Sequence, residues 1–148
     1  MNVSGSEKFA FVGIVDPDVS AAGAHNSTSI DMSKFESATA LILMGDLGSS
    51  ATVDAVVKSG AVDGTFANTV VTATQATQAG TDASNKQIVL DWRGEDLTTG
   101  DRYCRVEVTV AVASCDLAAV IVGHNGRFDP ASDNDSSTVL EIKNAKDE

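Results

Sequence analysis

The chain has 148 residues, 43% of them hydrophobic and 21% charged, with a formal net charge of −11. A chain of this length forms one domain and buries roughly 68–70% of its unfolded surface without covalent staples. Its carboxylate excess repels phosphate backbones and argues against nucleic acid as a partner. An aromatic content of 5% leaves few platforms for stacking a sugar or base, and no run approaches the 18 apolar residues of a membrane helix.

Residues 7–15, EKFAFVGIV, read as a short strand that stops at the turn signal Asp16-Pro17-Asp18. Glu7 and Lys8 precede its apolar run and no small-residue cleavage site follows, so no signal peptide is expected. The small, polar stretch up to residue 28 reads as a linker, and strand character resumes over 28–32. ATALILM at 38–44 is apolar on both faces, the pattern of a strand covered on two sides. GDLGSS breaks it. In residues 52–58, Val53, Ala55 and Val57 alternate inward. A helix over 50–59, capped by Ser50 and stopped by Gly60, competes because Val53, Val56 and Val57 also share a helical face; the Val content favours the strand.

Residues 65–75 are Thr- and Val-rich and strand-like, and 78–85 form a loop. KQIVLDW at 86–92 puts Ile88, Leu90 and Trp92 on one side, and a connection over 93–101 leads to RYCRVEVTVAV at 102–112. There Cys104, Val106, Val108, Val110 and Val112 point one way, and Tyr103, Arg105, Glu107, Thr109 and Ala111 the other, a half-buried strand. A second run apolar on both faces covers 118–122, an irregular segment follows to 135, STVLEI at 137–142 reads as the last strand, and 143–148 as a disordered tail. Seven or eight short strands without a convincing helix predict an all-β fold, a two-sheet antiparallel β-sandwich of jelly-roll type over residues 29–142.

Little in the chain points to chemistry. His25 and His124 fall in Gly- and Asn-rich loops without partners at metal-ligand spacing. The loop DPASDND offers Asp129, Asp133, Asn134 and Asp135 to a hard cation, but it lacks the EF-hand glycine, and Asn144 stands where the bidentate Glu belongs. A self-bonded turn is the simpler reading, and no metal or cofactor is expected. DWRGED at 91–96 reads as an ion-pair cluster closing a strand, with Trp92 on the core side. Cys104 and Cys115, about 35 Å apart along an extended chain, are expected as free, reduced, buried side chains. Without a nucleophile elbow, phosphate loop or dinucleotide fingerprint, the chain is not expected to be an enzyme.

The order of IDMSKFESATALILMGDLG, AVVKSGAVDGT, KQIVLDWRGEDL and YCRVEVTVAVASCDLAAVIVGHNGRFDPASDND resembles, over residues 29 to about 142, the decoration or cement proteins of tailed bacteriophages. The resemblance is one of pattern and carries no short diagnostic motif. It implies a virion structural protein on the outside of a capsid, assembled in the host bacterial cytoplasm. The implied partners are the major capsid protein and further copies of this chain, with a trimer favoured and neither nucleic acid nor membrane involved. Residues 1–28 then have two readings. They could be an N-terminal arm whose Phe9, Phe11, Val12 and Ile14 contact a neighbouring subunit or capsid protein, or the first strand of the sandwich itself. The alternative function is a receptor- or carbohydrate-binding module of a phage fibre or spike, with Tyr103, Trp92 and the DPASDND loop as its candidates.

Overall fold

A computed structural model describes residues 5–128 and 132–143. The strands are β1 (Phe9–Ser20), β2 (Gly23–Asn26), β3 (Ile30–Asp31), β4 (Phe35–Leu47), β5 (Thr52–Gly60), β6 (Asn68–Thr72), β7 (Ala76–Thr77), β8 (Gln87–Arg93), β9 (Tyr103–Ala111) and β10 (Cys115–Gly126). Two short 3-10 turns, Gly5–Glu7 and Gly94–Asp96, are the helical elements among the described residues, and no helix there is long and apolar enough to cross a membrane.

One sheet runs β1-β10-β4-β8; the other runs β2-β9-β5-β6, with β3 added on β9 and β7 on β5. All pairings are antiparallel. The chain alternates between the sheets, so most hydrogen-bonded neighbours are distant in sequence. This is the double-sheet jelly roll, in agreement with the sandwich expected from the strand pattern.

The core lies between the sheets. Val53, Ala55 and Val57 of β5 are fully buried, which settles that segment as a strand, and they face Cys104, Val106, Val108 and Val110 of the neighbouring β9. Across the gap stand Ala38, Ala40 and Ile42 of β4, Ala119 and Ile121 of β10, and Leu90 and Trp92 of β8. The small side chains of β4 let the sheets approach. At Gly123 the Phe35 ring packs so closely that an added Cβ would lie 2.7 Å from it.

Residues 9–20 form β1 and are hydrogen-bonded along β10, so of the two readings of the N-terminal segment the structure contains the sandwich strand. The turn expected at Asp16-Pro17-Asp18 is instead an irregularity inside β1, where the register slips between Val15 and Asp18. A slip accommodates proline because it leaves a position without a ladder hydrogen bond. The expected linker likewise contains β2, whose short, exposed pairing with β9 has no apolar alternation to reveal it.

Residues 137–142 are not a strand. Asp135 organises a turn there: its Oδ1 accepts from the Ser137 N–H (3.0 Å), and its carbonyl accepts from the N–H groups of Thr138 (3.1 Å) and Val139 (2.9 Å). Val112, expected inward, is 71% exposed. At a φ of 72° it sits in the turn where the chain crosses from β9 to the other sheet, and the alternation ends with the strand. The tail from 144 onward, and Asp129 of the proposed cation loop, lie outside the described residues.

The start of β9 is fixed by charge. Arg102 donates through Nε to Asp31 Oδ1 (2.8 Å) and through Nη2 to Oδ2 (2.5 Å), tying β3 to the chain that enters β9. The guanidinium, helped by Ser33, holds the Asp31 carboxyl well below the usual carboxylate range, against the opposing effect of burial. A folded-state value below the unfolded one gives stability that is present at neutral pH and is lost as pH falls through the folded value. Asp31→Asn should therefore melt below the parent at pH 7, and the gap should narrow once pH drops below about 4, near the unfolded carboxyl value. Thermal melts of both proteins across pH 2–7 check this; a gap independent of pH would show that the ion pair contributes nothing.

Candidate functional site: the outer face of one sheet

The two sheets turn different chemistry to solvent. Outward positions of β9 and β5 carry Arg105, Glu107, Thr109, Asp54 and Lys58. Glu107 there accepts ion pairs from Arg105 (2.5 Å) and Lys58 (3.5 Å), and Gln75 donates to both oxygens of Asp54 (3.0 and 2.8 Å). That is a solvated surface with its charges locally paired.

The outer face of the β1-β10-β4-β8 sheet carries an apolar band across its middle, bordered by polar side chains that include Gln87, Asp91, Ser37 and His124. Its register places Ile14, Val120, Leu41 and Val89 in one row across all four strands, with Phe11, Val122 and Thr39 in the next row and Ala118 with Leu43 on the other side. Leu43 is 44% exposed and Val89 56%. A shallow hollow of about 450 Å³, lined by Pro17, Val19, Leu43, Leu117 and Ala118 among others, extends this surface toward Asp18 and Asp116. Contiguous apolar patches on a soluble domain mark interaction sites far more often than scattered surface hydrophobes do.

Of the four residues singled out from the sequence, Phe9, Phe11 and Ile14 lie on this face. Phe9 and Phe11 meet edge to face at 5.4 Å between centroids, and Phe9 approaches His124 at 6.5 Å. Val12 is elsewhere: it is the extra residue where the register shifts between Phe11 and Gly13, and it is buried in the core. The shift reverses the parity of β1, returning Ile14 to the outer face beside Val120. Strict alternation cannot foresee a bulge.

The other candidates are absorbed by structure. Trp92 is 1% exposed. Asp91 accepts from the Thr39 hydroxyl (2.7 Å), Arg93 Nη1 pairs with Glu95 (2.9 Å), and the Arg93 N–H donates to Asp96 Oδ2 (2.8 Å), so DWRGED is a strand-end cap. In the acidic loop, Asp133 pairs with Lys34 (3.2 Å), Asn134 Oδ1 accepts the Phe11 N–H (2.8 Å), and Asp135 is held by Ser137 and Thr28. No cluster able to hold a metal occurs among the described residues.

Both histidines sit on strands rather than in loops, His25 Nε2 against the Ala21 carbonyl (2.8 Å) and His124 Nε2 against Thr39 Oγ1 (3.1 Å). Cys104 and Cys115 are free and buried. Burial pushes the Cys104 thiol up to about 12, opposed in part by Trp92, and raises Cys115 as well, so neither is an activated nucleophile. Tyr103 is half-buried and carries the Arg102 guanidinium 5.1 Å above its ring centroid.

The largest signal that sequence reasoning left unused was the pair of runs apolar on both faces. They are β4 and β10, adjacent at the centre of this sheet. The chain itself covers one face of them.

No family model matches this chain, and no curated protein does. Among solved structures, a chain from the T13 IBDV viral particle, described with the evolution of icosahedral viruses, superposes with a TM-score of 0.52 at 11% identity. It covers 83% of this chain and 32% of that one. A chain of the infectious bursal disease virus Gt strain gives a TM-score of 0.49 at 16% identity (88% and 36% covered), and one from the infectious bursal disease virus VP2 subviral particle gives 0.49 at 16% (83% and 34%). The chain thus spans about a third of the length of these proteins. What it shares with a protein of an icosahedral virus particle is its fold.

Proposed function

We propose that this chain is a virion structural protein that decorates and stabilises the outside of a bacteriophage capsid, lying between major capsid subunits as a trimer. The observation that carries this reading is the uncovered outer face of β4 and β10: two adjacent strands apolar on both sides, with the domain's own core against only one of them. A surface of this kind gains roughly 25 cal/mol for each Å² of apolar area it covers, and a shell subunit is the partner that the shared fold and the resemblance supply. Fold alone does not carry function, so the face bears the weight of the argument.

The net charge of −11 supports an outside position, away from packaged DNA. Free cysteines suit assembly in a reducing bacterial cytoplasm. The role is structural rather than catalytic. The alternative, a carbohydrate-binding module, is less well supported because Trp92, its best stacking platform, belongs to the core.

Mixing the purified protein with capsids that lack it tests the proposal. Saturable, stoichiometric uptake, with a gain in resistance to heat or shear, is expected. Particles that neither take up the protein nor change in stability would overturn it.

A further inference from the structure

Sheets are vulnerable at their edges, and the two edges of the β1-β10-β4-β8 sheet are treated differently. The β1 edge is capped at Phe11 by the chain's own C-terminal segment. Asn134 Oδ1 accepts the Phe11 N–H (2.8 Å), the Asp135 N–H donates to the Phe11 carbonyl (2.7 Å), Thr28 donates to Asp135 (3.3 Å), and Lys34 pairs with Asp133 (3.2 Å). After the turn at Asp135 the chain runs on through residues 139–143, with Val139 part-buried and Ile142 38% exposed. Leu140 is fully exposed and Ile142 is exposed too, in a stretch without secondary structure of its own.

Among the described residues no strand pairs with the far side of β8, although β6 of the other sheet lies close to it. The Met44 N–H donates to the Lys86 carbonyl (3.0 Å), which sets the phase of the β4–β8 ladder. Lys86, Ile88, Leu90 and Trp92 bond toward β4, so Gln87, Val89 and Asp91 turn their N–H and carbonyl groups outward. Arg93 shares that outward phase, and its N–H is taken by Asp96.

We infer that residues 139–143 of one copy add as a strand to the unpaired β8 edge of a second copy. The tail cannot serve its own β8: it departs from the β1 edge, and three strand spacings, about 14 Å, separate two edges that face opposite ways. In a neighbour, main-chain bonds to Gln87, Val89 and Asp91 give affinity. Leu140 and Ile142, two apart on one face of the added strand, then extend the apolar band of Ile14, Val120, Leu41 and Val89 by one more strand. Donor and acceptor are different surfaces, so the contact is heterologous, and it makes a ring where the rotation between copies closes. The inference supplies the interface for the trimer in the proposed function and rests on that reading only for the number of copies.

Light scattering on the purified chain, with no capsid present, tests it. The full chain should run as a closed oligomer. Removal of residues 139–148, and separately Val89→Pro on the outward-facing edge, should each give a single-chain mass. An equimolar mixture of the two should give a pair at twice that mass, since one retains only the acceptor and the other only the donor. Where proline lowers the melt, Val89→Lys guards the edge with a charge instead. A single-chain mass for the full protein, or an oligomer that survives the truncation, overturns the inference. An oligomer that no capsid takes up would instead count against the decoration role alone.

Discussion

Leu41→Asp should abolish attachment to capsids while leaving the isolated chain folded. Leu41 stands between Val120 and Val89 in the central row of the apolar face, where a partner would have to bury an unpaired carboxylate. That penalty amounts to several kcal/mol, and at about 1.4 kcal/mol per tenfold attachment should weaken by roughly a hundredfold or more. The side chain is half-buried in the free protein, so folding should lose no more than about 2 kcal/mol, from the apolar area it covers and from strand propensity. Uptake on capsids and a thermal melt, measured on the same preparation, separate the two effects. A variant that saturates capsids as the parent does would remove the face from the interface.

Trp92→Ala should cost about 3–5 kcal/mol of stability, the range for deleting a large buried aromatic, and lower the melting temperature by roughly 10 °C. Trp92 lies opposite Ala38 on β4 and close to Cys104 of the other sheet, so its loss opens a void where the layers meet. Its indole N–H has no well-formed hydrogen bond, only a weak interaction with the Cys104 thiol. Trp92→Phe removes that poorly partnered donor along with part of the ring, and should cost clearly less than the alanine variant. Denaturant titrations of the three proteins check this order; equal losses for both variants would mean that ring volume is not what holds the sheets together.

Where the alternation of side chains was long and regular, as in Val53 to Val57 or Cys104 to Val110, sequence reading located strand and inward face together. It failed where a third partner decided the conformation. STVLEI at 137–142 has strand composition, but the Asp135 turn consumes its first N–H groups and no strand among the described residues pairs the rest. Pro17 reads as punctuation, yet the slip in β1 carries the strand past it. Val12 was grouped with its apolar neighbours; alternation alone parts it from Phe9 and Phe11, and the bulge opposite β10 is what returns Ile14 to their face.

The docking face was half legible. Residues 38–44 and 118–122 announce by their composition that both sides of each strand leave water, because backbone alternation is local and each side chain's direction follows from its neighbours in sequence. Composition could not say that these two segments would lie side by side, nor that one of their shared faces would find no cover among the described residues. Pairing between strands some eighty residues apart is a long-range event, set by the competition of every segment for every other. The apolar strands were therefore written in the sequence, while the surface they leave open for another molecule exists only once the sheets have closed.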